Sequence, residues 1–188
     1  MRKKPDCVML AAGESVRMSG WKLLLPVRGE TLIERSVNGA LAACGKVFLV
    51  TGYRHGEIEN LFDGEERVIP VCNPGYEEGM FSSIRAGASR VETERFFVAL
   101  GDMPSVGKKV YEKLLSYGNV PAVIPKYGGK KGHPVLLSAA VREIILSLGP
   151  GHTLRDALAR VETLAVPVDT GAVLVDIDDK KDYENLIG

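Results

Sequence analysis

The chain has no surplus of charge: 24 Lys and Arg stand against 24 Asp and Glu, a formal net charge of zero. A dedicated nucleic-acid binder carries a basic excess to neutralise phosphates, so that class is disfavoured and any anion site must be local. Cysteine is scarce. Cys7, Cys44 and Cys72 are odd in number and widely spaced, with no C-x-x-C pair, which suggests neither a disulfide framework nor a zinc site. Each is expected in or beside an apolar strand or helix as a small hydrophobe. No apolar run approaches the roughly 20 residues that span a bilayer. The basic start is followed by Cys7 to Ala12, a run too short for a signal-peptide core that ends in a glycine loop. A cytoplasmic protein with neither a membrane nor a nucleic-acid partner is expected.

What is present is enough apolar side chain for a core, at 45% of 188 residues. That length fits one domain over 1–188, able to bury roughly 70% of the surface it exposes when unfolded. Short apolar runs bounded by turn residues read as buried strands at 6–12, 46–51, 68–72, 95–100, 121–125, 134–138, 164–168 and 172–177. Helical patterns separate most of them. Thr31-Leu32-Ile33-Glu34 matches a capping box, with Ile33, Val37, Ala40, Leu41 and Cys44 following at helical spacing. Helices are also expected over 55–62, from Ser82 to about residue 90, over 107–117, on the stripes Val141 to Leu148 and Leu154 to Val161, and from about residue 179. Strand and helix in alternation predict an α/β fold with a mostly parallel central sheet covered on both faces. Ligands of such sheets bind beyond the carboxyl ends of the strands, which directs attention to the turns after residues 12, 72 and 100.

The first turn, Gly13 to Lys22, combines glycines that let backbone N–H groups approach an anion with two cations, Arg17 and Lys22. It is neither a P-loop nor a dinucleotide fingerprint. An ordinary surface loop with solvated cations is the competing reading. Asp102, in Leu100-Gly101-Asp102-Met103-Pro104, stands where a carboxylate can hold a divalent cation, although a turn Asp bonded to its own backbone has the same look. Asp176-Ile177-Asp178-Asp179 offers a second ligand or a cap for the last helix. Asn73 to Ser83 runs from a turn into a helix N-terminus whose N–H groups suit a ligand's polar edge. Gly128 to Pro134, with Lys130 and Lys131, is either a site for an anionic second substrate or a solvated hairpin tip. His55 and His152 lack metal-ligand spacing.

Together these segments resemble the molybdenum cofactor nucleotidyltransferases, most closely the cytidylyltransferase branch. The resemblance runs through Leu10-Ala11-Ala12-Gly13, Arg17-Met18, Lys22, Leu25-Pro26, Asn73-Pro74, Gly79-Met80, Ser83-Ile84, Gly101-Asp102-Met103-Pro104, Gly132-His133-Pro134 and Asp176-Ile177-Asp178, nearly the whole chain. It implies a Rossmann-like nucleotidyltransferase fold and Mg²⁺-dependent transfer of a nucleoside monophosphate to a phosphorylated acceptor such as molybdopterin, with release of pyrophosphate. It further implies that Leu10, Ala11, Ala12, Gly13 and Gly101 bound the nucleotide site, that Arg17, Lys22 and Asp102 are the catalytic groups, that Asp102 and Asp178 hold the metal, and that Asn73, Ser83 and His133 shape the nucleotide and acceptor pockets. Ala12 stands where the guanylyl branch has Gly, and the extra methyl favours CTP over GTP. Asp179-Lys180-Lys181-Asp182 replaces the family's Thr-Pro-Glu-Asp, so Asp176 stays open as an alternative to Asp178. A guanylyltransferase of the same cofactor, a nucleotidyltransferase for a sugar or polyol phosphate, and a non-catalytic cofactor carrier are the rival readings. A transient contact with a molybdoenzyme or its chaperone is compatible with the first two cofactor readings.

Overall fold

The first apolar run forms β1 (Asp6–Leu10) in a computed structural model that describes residues 3–14 and 21–187. A small hairpin, β2 (Pro26–Val27) and β3 (Glu30–Thr31), leads into α1 (Leu32–Leu41), followed by β4 (Val47–Thr51), α2 (His55–Glu59), β5 (Val68–Cys72) and α3 (Met80–Ala88). The second half runs β6 (Arg95–Leu100), α4 (Lys108–Leu115), β7 (Ala122–Tyr127), β8 (Lys130–Lys131), β9 (Val135–Ser138), α5 (Ala139–Ser147), α6 (Leu154–Leu158), β10 (Thr163–Pro167) and α7 (Lys180–Ile187). The expected capping box is formed at Thr31 and Glu34, and Thr153 with Asp156 forms another at α6.

The main sheet has the order β10-β7-β9-β6-β1-β4-β5, with β8 paired to the outer part of β7. β1, β4, β5 and β6 are mutually parallel, β7 and β10 are parallel to each other, and β9 is antiparallel to both of its neighbours. The sheet is therefore mostly parallel, with helices on both faces. Alternation along the strands sorts the core into two layers. Cys7, Met9, Leu49 and Phe97 pack with Ile33, Val37 and Ala40 of α1 and Val110 and Leu114 of α4. Val8, Val50, Phe96 and Val98 pack on the other side with Ile84 of α3, Val141 and Ile145 of α5 and Ala157 of α6. Cys7 and Cys44 are buried and Cys72, at the end of β5, is exposed; all three are free thiols. No helix among the described residues is long and apolar enough to cross a membrane.

One expected strand is absent. Residues 172–177 form a 3-10 turn, Gly171–Leu174, and then an extended strap that lies across the end of the sheet. Its hydrogen bonds go to single groups: the Val173 carbonyl accepts from the His133 N–H at 3.0 Å, and the Ile177 N–H donates to the Asp102 carbonyl at 3.0 Å. An apolar run reads as a strand from its side chains alone, but here Val173 and Ile177 bury themselves without joining a ladder.

The close approach of α3 to the sheet depends on Gly87, where a Cβ would collide with Val8 Cγ1 and lie 2.8 Å from Val50 Cγ2. Gly87→Ala is expected to lower stability by about 1–3 kcal/mol through overpacking, read as a lower urea midpoint with an unchanged slope.

Candidate functional site

β1, β4 and β6 all point their carboxyl ends at one edge of the sheet, and the chain leaves each of them in a turn. A cavity of about 480 Å³ opens there, floored by Leu10, Ala11, Ala12 and Gly13 and bounded by Lys22, Leu100, Asp102, Asp176 and Asp178. Met80 and Ser83, in the first turn of α3, form the opposite wall with Tyr76. The helix N-terminus so placed favours a bound anion.

Lys22 is the centre of the arrangement. It opens the 3-10 turn Lys22–Leu24, and its ammonium donates to Asp102 Oδ2 at 2.7 Å and to Asp178 Oδ1 at 3.0 Å. Only 13% of the Lys22 side chain is exposed. Burial opposes its charge, but Asp102 and Asp178 more than offset that and hold the pKa above the usual lysine value. The ammonium therefore stays protonated throughout the neutral range. Arg17, the other expected cation, lies outside the described residues.

Carboxylate oxygens of Asp102, Asp176 and Asp178 all lie within 4.8 Å of one another. Asp102 Oδ1 is buried and has no hydrogen-bond partner, an expensive state for a carboxylate oxygen unless something else satisfies it. A set of three hard oxygen donors with one orphaned atom fits a divalent cation such as Mg²⁺ or Mn²⁺. Asp176 and Asp178 both stand in this cluster with Asp102. Asp179 takes the capping role instead: its side chain accepts from the Asp182 N–H at 2.9 Å, and Asp182 accepts from the Asp179 N–H at 3.2 Å. An Asp at this cap does what a Thr would do, so the departure Asp179-Lys180-Lys181-Asp182 keeps the approach to α7.

Other expected residues sit one layer back. Asn73 is buried; its amide donates to Ser82 Oγ at 2.9 Å and to Ser83 Oγ at 3.0 Å, and its Oδ1 accepts from the Gly75 N–H at 3.1 Å. It braces the turn against α3, leaving Ser83 to face the cavity. Ser82 does not cap α3, whose N-cap is Gly79; its hydroxyl donates to the Gly75 and Gly79 carbonyls instead. The Gly101 N–H donates to the Leu10 carbonyl at 2.9 Å and its carbonyl accepts from Ser36 Oγ at 2.8 Å, tying the Asp102 turn to β1 and α1.

A second cavity, of about 340 Å³, shares Leu100 and Asp176 with the first. His133, Lys130 and Lys131 border it with Met103, Val173 and Leu174. Burial pushes the His133 imidazole down from its ordinary pKa, against the Val98 carbonyl and the charges of Asp102 and Asp176, so the ring is neutral at pH 7. Its Nδ1 is buried without a partner. Met80 belongs to the segments that carry the family resemblance and Tyr76 to the loop before it, but neither was given a role of its own; the fold places both in the cavity wall. Tyr76 Oη donates to Glu14 Oε1 at 3.1 Å, linking the turn after β5 to the turn after β1.

Residues 7–166 match the sequence pattern of the MobA-like NTP transferase domain. The molybdenum cofactor cytidylyltransferase of Escherichia coli (strain K12) is 32% identical over 178 residues, covering 95% of this chain and 93% of that protein. The nicotine blue oxidoreductase of Paenarthrobacter nicotinovorans is also 32% identical, over 170 residues, 82% of this chain and 78% of that protein. Among solved structures, a nucleotidyl transferase from Methanothermobacter thermautotroptrophicus superposes with a TM-score of 0.86 at 25% identity, covering 98% of this chain and 96% of that one.

The strap that carries Asp176 and Asp178 rests directly on Gly132, where a Cβ would collide with the Val173 carbonyl. Gly132→Ala is expected to displace the strap and separate the carboxylates. Manganese titration followed by water-proton relaxation should show weaker Mn²⁺ binding than in the unmodified protein, with about 1–3 kcal/mol less stability.

Proposed function

The chain belongs to the MobA-like NTP transferase family, and from that premise we propose that it transfers CMP from CTP to the terminal phosphate of molybdopterin, releasing pyrophosphate. The observation that carries the reading is Lys22 held between Asp102 and Asp178 in the wall of the larger cavity, with Asp176 shared between that cavity and a smaller one. The larger cavity suits the nucleotide, and the smaller one the acceptor.

A phosphomonoester has a second pKa near 6, so at neutral pH the acceptor is mostly dianionic and already nucleophilic. A general base is then unnecessary, and neutral His133 need not act as one. The work left to the protein is to bring two anions together. At about 4 Å two unit charges repel by roughly 4 kcal/mol at an effective dielectric near 20. Lys22 offsets this repulsion beside the α-phosphate, and we assign Arg17 the same task at the leaving pyrophosphate. Mg²⁺ held by Asp102, Asp176 and Asp178 would supply Lewis-acid polarisation of the phosphoryl oxygens.

Two details support the finer choices. The Ala12 methyl forms part of the cavity floor, and the space it takes favours the smaller cytosine ring; one methyl typically discriminates by about 1–3 kcal/mol. Leu100, Met103, Val173 and Leu174 give the acceptor cavity apolar walls that suit a ring system and would leave the hydroxyls of a sugar or polyol phosphate unpaired. Lys130 and Lys131 at its rim supply charge for the acceptor's phosphate.

Incubation with CTP, Mg²⁺ and molybdopterin should release pyrophosphate, and a chelator should stop the reaction until Mg²⁺ is restored. Lys22→Ala and Asp102→Asn are each expected to lower kcat by about 10²–10³-fold in a protein that stays folded. Turnover with GTP and not CTP would move the reading to the guanylyl alternative, and turnover with a sugar phosphate alone would move the acceptor. The paired change Lys130→Ala with Lys131→Ala is expected to raise KM for the acceptor by about tenfold or more while KM for CTP holds, corresponding to the loss of charge-assisted contacts.

A further inference from the structure

The residue before Lys22 is the chain's sole tryptophan, and the reaction as described gives it no task. Trp21 is 6% exposed although it stands at the edge of the cavity loop. It is the N-cap of the 3-10 turn that begins at Lys22, and its carbonyl accepts from the Leu24 N–H at 3.1 Å. The indole is gripped from three directions. Its Nε1–H reaches the Gly13 carbonyl at 3.4 Å, a long hydrogen bond. The Tyr53 ring meets it edge to face, with centroids 5.9 Å apart and planes at 88°. The Arg54 guanidinium lies over it, 5.2 Å from the ring centroid.

Tyr53 and Arg54 belong to the turn after β4, a segment far from Trp21 in sequence, and the Tyr53 N–H donates to the Ala12 carbonyl at 3.2 Å. Arg54 has a left-handed backbone, φ 48°, which is uncommon for a residue with a Cβ and persists only where its surroundings hold it. Its guanidinium also makes a two-nitrogen pair with Glu57. Backbone, ion pair and ring contact thus fix one side chain in one place, on top of Trp21.

A lysine ammonium is a point charge on a flexible four-carbon stem. At Lys22 the tip is oriented by Asp102 and Asp178, which leaves the root of the stem to be fixed. We propose that Trp21, seated beneath Arg54 and against Tyr53, is a positioning residue for Lys22, fixing the backbone from which the ammonium reaches the reacting phosphates. This rests on the reading of Lys22 as the phosphate-facing cation. Displacing a catalytic group by about 1 Å can cost as much as 10²-fold in rate, so a firm root at residue 21 has kinetic consequences.

Arg54→Ala removes the contact from the exposed side without opening the core. It is expected to lower kcat by about tenfold, with a smaller change in KM for CTP and an unchanged melting temperature, because the loss is felt in placing Lys22 in the transition state. Arg54→Lys keeps a cation over the ring and should restore part of the loss. Trp21→Phe should retain more activity than Trp21→Ala. In Arg54→Ala the emission of the sole tryptophan should shift, and hydrogen exchange should quicken at the Leu24 and Leu25 amides, which bond the Trp21 and Lys22 carbonyls, while the β1 amides stay protected. Unchanged kcat overturns the proposal; so does a loss carried wholly by KM for CTP with no rescue by Lys, which would make Arg54 a direct phosphate contact. If the unmodified protein transfers no nucleotide to any acceptor, the functional reading fails by itself. Exchange then decides the positioning role alone, faster at Leu24 and Leu25 in its favour and unchanged against it.

Discussion

The bond from Lys22 to Asp102 and Asp178 is the constraint around which the edge of the sheet is organised. Its partners stand 80 and 156 residues away along the chain, so it exists only when the turn after β1, the turn after β6 and the strap before α7 are all in place. A half-buried ion pair is no simple stabiliser, since desolvating the charges consumes part of the attraction between them. Its value is geometric. The Gly101 amide bonds β1 through the Leu10 carbonyl, the Ile177 amide bonds the Asp102 carbonyl, and the His133 amide bonds Val173, so each charged residue is flanked by a backbone contact to the next segment. Main-chain bonds thus join the segments that carry the charged groups.

Much of this was legible in the sequence because it depends on local rules. Apolar runs, the Thr31 and Glu34 capping box and the stripe from Ile33 to Cys44 specify strands and a helix without knowledge of the partner segments, and the structure forms them. The turns after residues 12, 72 and 100 could be singled out because a parallel sheet gathers its strand ends. Residues 172–177 were harder: side-chain pattern records burial, and burial of Val173 and Ile177 does not distinguish a strand from a strap. Asn73 was expected to shape a pocket and instead sits one layer back as a brace, a role set by two serines on α3 whose hydroxyls only the fold brings to its amide. The Trp21, Tyr53 and Arg54 contact was invisible for a similar reason: no spacing rule connects a residue before β2 to the turn after β4.

Family membership narrows the chemistry without deciding it. One relative named a cytidylyltransferase and another named an oxidoreductase are each 32% identical to this chain. Fold and overall similarity are therefore weaker arguments than the groups at the site. Hydride transfer has no need for three converging carboxylates, an orphaned carboxylate oxygen and a half-buried ammonium held by two of them. Moving a phosphoryl group does, because charge is carried by the phosphoryl oxygens and builds up at the departing oxygen, and fixed opposite charges stabilise it most where water is excluded.

The antiparallel strand completes the logic. In an all-parallel sheet every strand brings its carboxyl end to the ligand edge, and a residue before a strand lies on the far side. β9 runs against β6 and β7, with Val135 opposite Val98, so its beginning reaches the edge where the other strands finish. That reversal carries Gly132 and His133 to the strap and Lys130 and Lys131 to the rim of the second cavity. β7, running parallel to β6, delivers the other arm of the same hairpin from its carboxyl end. One short reversed strand thus adds to the edge where the parallel strands end a second cavity that meets the first at Leu100 and Asp176.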